Sequence, residues 1–123
     1  MRATPDISMN AAVNGGVLVY STADGTPHWF VVGGTSASCP EWAALFALVN
    51  QARLNNGMGV IGFANPSLYA LGTGPTYGSD FHDITTGDNI NAGSTVGFAA
   101  GPGWDMATGW GTPDAWNIVD DLS

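Results

Sequence analysis

The sequence predicts an α/β fold, on three observations: two β-prone runs separated by a turn, an uninterrupted apolar stretch long enough for a helix, and a capped helix at the C-terminal end. Val17-Leu18-Val19-Tyr20 and Trp29-Phe30-Val31-Val32 are the β-prone runs, and Asp24-Gly25-Thr26-Pro27 between them is rich in turn formers, so the three segments read as a hairpin. Asn14-Gly15-Gly16 supplies a turn before it, and Gly33-Gly34 ends the second strand. From Trp42 to Val49 no residue has a polar side chain, which predicts a central helix buried on every side. Pro40 suits its first turn, where a missing N–H costs nothing, and Asn55-Asn56-Gly57 is its stop. Asn65-Pro66-Ser67-Leu68-Tyr69-Ala70-Leu71 predicts a short helix with Asn65 as cap and Pro66 in first position. Thr112-Pro113-Asp114 opens the last helix in the same manner, with Trp116, Val119 and Leu122 toward the core. The Gly/Asp/Thr-rich stretch from Gly72 to Gly111 is too long for an idle connection, because long loops in compact domains serve a function or need an external tie.

Composition narrows the function. Two basic and ten acidic residues give a net charge of −8, which repels a phosphate backbone and argues against nucleic-acid binding. No apolar run approaches the roughly 18 residues of a membrane span, and the first residues lack the apolar core of a signal peptide. One cysteine, Cys39, makes no internal disulfide, and no Cys/His cluster suggests zinc. At 123 residues the chain is expected to be one small domain or a piece of one.

The segment Gly34-Thr35-Ser36-Ala37-Ser38-Cys39-Pro40 concentrates the chemistry. It runs directly into the apolar helix, so Ser36 sits at a helix N-terminus, where unpaired N–H groups and the positive end of the dipole stabilise negative charge. A serine nucleophile needs that setting, although an N-cap serine has the same local sequence. Ser38 reads as a local cap or solvent-facing hydroxyl, and Cys39 as a small buried structural residue. Trp104, Trp110 and Trp116 read as packing around the long loop.

Four ordered segments carry a resemblance to a known family. Gly34 to Pro40 resembles the G-T-S-x-x-x-P nucleophile motif of subtilisin-like proteases, and the surroundings resemble one branch, the sedolisins or serine-carboxyl peptidases. Arg2-Ala3-Thr4-Pro5-Asp6-Ile7-Ser8 is similar to that family's strand before the active-site hairpin, and Gly62-Phe63-Ala64-Asn65-Pro66-Ser67-Leu68-Tyr69 to its G-F-x-N-P-x-L-Y element. Phe81-His82-Asp83-Ile84-Thr85 with Gly101-Pro102-Gly103-Trp104-Asp105 resembles its calcium site.

The resemblance implies a subtilisin-like fold and an acid-acting endopeptidase or tripeptidyl-peptidase that cleaves peptide or protein substrates through Ser36. It also implies one Ca²⁺, held by the Asp83 and Asp105 side chains and the carbonyls of Ile84, Gly101 and Gly103. Ca²⁺ is a hard cation served by such oxygens, although read apart from the family this is an ordinary Gly/Asp loop. An extracellular or other acidic compartment is implied as well. In the family the base is a glutamate oriented by an aspartate four residues on; a carboxylate accepts protons at a pH where histidine is already charged. Here the one glutamate, Glu41, is followed four residues on by Leu45. Gly87-Asp88 resembles the family's oxyanion motif only superficially, since it follows the serine, and neither His28 nor His82 is placed as a triad base. Residues 1–123 are therefore expected to be the C-terminal portion of a sedolisin domain, inactive alone, with the remaining N-terminal part and a propeptide as partners. The alternatives are a non-catalytic, calcium-stabilised binding module and an inactive truncated fragment.

Overall fold

The computed structural model describes residues 3–123; Arg2, which opens one of the motif segments, lies outside the described residues. The chain divides into two compact units, Met9–Ala44 and a unit joining the N-terminal stretch through Ser8 to Leu45–Ser123.

In the first unit the expected hairpin forms. Strands β1 (Val17–Ser21) and β2 (His28–Val32) pair antiparallel, with Val17 opposite Val32 and Ser21 opposite His28. Gly25, at φ +83°, turns the chain between them and donates its N–H to the Thr22 carbonyl. Tyr20 and Trp29 face each other across the strands with ring centroids 5.3 Å apart. Within the described residues the apolar side chains of this hairpin stay largely exposed, Leu18 at 67% and Trp29 at 65%.

Helix α1 spans Thr35–Asn55 and so begins five residues before Pro40. Gly34 explains the early start: its φ of +77°, costly for any residue with a Cβ, lets the chain turn at once from β2 into the helix. Pro40 therefore lies inside the helix, where its missing N–H leaves the Ser36 carbonyl without an intrahelical donor. The expectation of a helix buried on all sides is corrected. Ala37, Trp42, Leu45 and Val49 are buried, whereas Leu48 and Leu54 are more than half exposed. An apolar run settles what a helix can bury; the elements around it in this chain cover one side. Its stop forms as expected, with Gly57 at φ +75° and the Met58 N–H donating to the Arg53 carbonyl at 2.8 Å.

In the second unit α2 (Asn65–Gly72), α3 (Tyr77–Asp80) and α4 (Ala115–Leu122) surround a core of Val49, Leu68, Phe81, Trp110, Ile118 and Leu122. The two-residue strands β3 (Phe81–His82) and β4 (Thr112–Pro113) pair antiparallel, so part of the long loop is ordered by its own structure. Three expectations change here. Asn65 is the first residue of α2 rather than its cap, because the cap position falls on Ala64, and the Asn65 side-chain amide instead donates to Asp6. Pro113 lies in β4, and the Asp114 carboxylate alone caps α4 by accepting from the Asn117 N–H at 3.0 Å. Trp116 points to solvent at 79% exposure, while Ile118, absent from the expected set, is completely buried.

Gly72 packs flat against the indole of Trp110: a Cβ there would lie 2.3 Å from the Trp110 ring. Gly72→Ala is therefore expected to destabilise the protein by about 1–3 kcal/mol through overpacking, measurable as a lower urea midpoint at unchanged slope.

Candidate active site

Ser36 lies in the first turn of α1 and is exposed. The Gly34 carbonyl accepts from the N–H groups of Ala37 at 3.0 Å and Ser38 at 3.4 Å. Those of Thr35 and Ser36 have no partner among the described residues, and neither has the Ser36 hydroxyl. The hydroxyl is thus free beside two open donors at the positive end of a 21-residue helix. An oxyanion formed next to Ser36 would find its hydrogen bonds there without rearrangement.

The neighbouring residues fill other roles. Ser38 is no cap, since the helix starts before it; its hydroxyl leans back on the Thr35 carbonyl at 3.5 Å. Cys39 is exposed rather than buried, because it falls on an uncovered face of α1. Glu41, five residues after Ser36, is turned about 140° around the helix axis at 100° per residue, and Leu45 four further on is buried. His28 is held at the hairpin turn, its Nδ1 2.7 Å from the Thr26 carbonyl and 3.7 Å from Asp24.

A second group of sequence-singled residues assembles on the loop of the other unit. Gly101, Gly103 and Asp105 form a short arch joined to Asp83, with the Gly103 N–H donating to Asp83 Oδ2 and the Gly101 N–H to Asp105 Oδ2, both at 2.9 Å. Asp105 Oδ1 accepts from the N–H groups of Ala107 and Thr108, each at 2.8 Å. Burial pushes the Asp105 carboxyl up, but the amides of Gly101, Thr108 and Ala107 and the Thr108 hydroxyl outweigh it and hold the acid below its ordinary value. Asp83 Oδ1 is buried with no hydrogen-bond partner. Ile84 is half-buried directly after it.

This donor set fits a hard cation. An orphaned carboxylate oxygen lies beside a glycine arch, and there is open space where side chains at Gly101 and Gly103 would stand. Among the described residues no group of three or more His, Cys, Asp or Glu side chains could hold a metal, so any ion here depends on backbone carbonyls as well as the two carboxylates.

Tyr77, Asp6, Asn65 and Tyr69 support this unit in ways the sequence reading missed. Tyr77 donates to the Trp110 carbonyl at 3.2 Å and lies beside Asp83. Burial first, then the neighbouring Asp83 carboxylate and the charge of Asp105, push its hydroxyl up to about 12. Asp6 accepts from Asn65 Nδ2 and from the Tyr69 hydroxyl, both at 2.9 Å, and its carbonyl accepts from the Trp110 N–H at 2.9 Å. The Trp104 indole N–H donates to the Pro5 carbonyl at 3.1 Å. Two segments that the sequence presents 59 residues apart are thereby one hydrogen-bonded network. Asp6 and Asn65 were visible as motif letters, but nothing in their spacing disclosed the pairing.

No family model matches the chain. Tripeptidyl-peptidase sed1 of Aspergillus fumigatus is 39% identical over 99 residues, which is 80% of this chain and 13% of that protein. Kumamolisin of Bacillus sp. is 41% identical over 101 residues, 82% of this chain and 16% of that protein. Among solved structures, Pseudomonas sedolisin, a serine-carboxyl proteinase complexed with two molecules of pseudo-iodotyrostatin, aligns with a TM-score of 0.73 and 34% identity over 95% of this chain and 28% of its own. The chain thus spans roughly a sixth or less of the curated relatives named here, in a subtilisin-like α/β fold. By sequence and by fold alike, it belongs to the sedolisin family of serine-carboxyl peptidases, over part of that family's length.

Proposed function

We propose that these residues supply the serine nucleophile and a calcium-tied loop to an acid-acting serine-carboxyl peptidase of the endopeptidase or tripeptidyl-peptidase kind. The observation that carries the reading is the exposed Ser36 hydroxyl beside the two open N–H groups at the start of α1. Ser36 Oγ forms a bond to the carbonyl carbon of the scissile peptide while its proton passes to a carboxylate base. The carbonyl oxygen, now negative, takes hydrogen bonds from the helix start. The base is a glutamate oriented by an aspartate, and both lie outside these 123 residues, whose one glutamate is turned away from Ser36. Asp83 and Asp105, with the carbonyls of Ile84, Gly101 and Gly103, would hold the ion. Held by these residues, Ca²⁺ would supply positive charge to offset the two half-buried carboxylates.

The 123-residue chain alone is expected to leave an unstructured peptide uncleaved at acid pH, whereas a protein extended upstream through a Glu-x-x-x-Asp helix cleaves it. Turnover by the isolated chain that Ser36→Ala abolishes would overturn the placement of the base outside it.

A further inference from the structure

Asp80 ends α3 and is completely buried, yet neither site described above uses it. A buried carboxylate is costly unless donors surround it. Asp80 has one such donor, the Thr76 hydroxyl, 2.6 Å from Oδ2. Its Oδ1 is equally hidden from water and meets none.

Helix α4 packs across this residue. The Asp114 N–H donates to the Asp80 carbonyl at 2.7 Å, and Asn117 Nδ2 donates to the Ser79 carbonyl at 2.8 Å. Helical spacing sets Asp114, Asn117, Ile118 and Asp121 on one face. Because Asn117 is anchored on α3 and Ile118 is buried, that face is the one turned toward Asp80. Among the described residues, the charged groups whose charge reaches Asp80 are Asp121 and Asp114, both acids. Arg53, which reaches the end of α4, is committed to the carbonyls of Leu122 and Gly59.

We infer that Asp80 is held protonated and donates through Oδ1 to the Asp121 carboxylate, a proton-shared clasp that fastens α4 onto α3 in acid and loosens as the pH rises. Burial is the main force raising the affinity of Asp80 for its proton; the Thr76 hydrogen bond opposes it, and the charge and hydrogen bond of Asp121 and the charge of Asp114 add to it. A carboxyl whose folded pKa exceeds its unfolded value, about 3.9, contributes its stability fully below that value. The contribution is lost as pH rises through the folded pKa. One proton changes the opening constant by at most about tenfold per pH unit.

The test is hydrogen exchange of the α4 amides, together with thermal melts, in the intact calcium-saturated protein from acid to neutral pH. Wild type is expected to open α4 increasingly as pH rises. Asp80→Asn, whose amide donates to Asp121 at every pH, should lose that rise and melt higher than wild type at neutral pH. Asp121→Ala, a change at an exposed position, should open α4 more than wild type in acid, where the clasp is lost, and less than wild type at neutral pH, where the repulsion between two carboxylates is removed. A wild-type rise retained in Asp80→Asn, or an Asp121→Ala profile matching wild type in acid, overturns the clasp. Tightening of α4 at neutral pH by added Mg²⁺ in wild type but not in Asp80→Asn also overturns it, in favour of a cation bridge.

Discussion

On the proposed function, Ser36→Ala in a protein extended upstream of this chain is expected to lower kcat by on the order of 10⁴- to 10⁶-fold, the range seen when a serine nucleophile that acts as a unit with its base is removed. KM and the melting temperature should change little. The substitution removes one exposed oxygen that makes no hydrogen bond among the described residues, and it leaves Gly34, the open N–H groups and the buried face of α1 in place. Ser38→Ala is the matched control. Its hydroxyl makes only the long contact to the Thr35 carbonyl, so activity should stay within a factor of about two, since a weak exposed hydrogen bond is worth well under 1 kcal/mol. Progress curves on a peptide substrate at acid pH read both variants. Residual kcat within tenfold of wild type for Ser36→Ala, or an equal loss for Ser38→Ala, would remove Ser36 from the chemistry.

Saturating calcium is expected to raise the melting temperature by roughly 10 °C. An ion that binds only the folded state contributes about 2.7 kcal/mol at a hundredfold excess over its Kd, and a domain of this size converts that into a shift of this order. Asp83 Oδ1, buried without a partner, should give the larger part of the response, because a ligand there relieves an unmet acceptor as well as supplying attraction. Asp83→Ala and Asp105→Ala should each abolish the calcium-dependent shift. They should differ in the absence of calcium. Loss of Asp105 frees the N–H groups of Gly101, Ala107 and Thr108 and lowers stability outright, whereas loss of Asp83 frees that of Gly103 but also removes the orphaned oxygen. Differential scanning calorimetry with calcium and with chelator separates the two effects. A calcium shift that survives Asp83→Ala assigns the ion elsewhere.

Much of the fold was legible because local rules were met without competition. The hairpin formed where two β-prone runs flank Asp24-Gly25, and α1 stopped at Gly57 because a glycine was available for the left-handed turn. The misreadings share a cause. Asn65 has the side chain of a cap and Pro66 the position of a first helical residue, but the cap position falls one residue earlier, at Ala64, and the Asn65 amide ties α2 to distant Asp6. Trp116 has the size of a core residue, yet the face of α4 that meets α3 is selected by Asn117 and Ile118. Cap and core are outcomes of competition between partners, and distant partners are invisible to local pattern.

Residue order determined the chemistry that this chain can offer: a serine at the mouth of an apolar helix, two aspartates bracketing a glycine-rich loop, and no glutamate paired with an aspartate four residues on. Those are matters of residue type and spacing along one element, and short-range sterics enforce them. The tertiary structure decided which groups are left unsatisfied. That Asp83 Oδ1 and Asp80 Oδ1 lie buried without donors, that Asp6 joins α2 to the N-terminal stretch, and that one side of α1 stays uncovered all follow from what packs against each residue. Burial and hydrogen-bond satisfaction depend on segments far apart in sequence, so only the folded chain determines them.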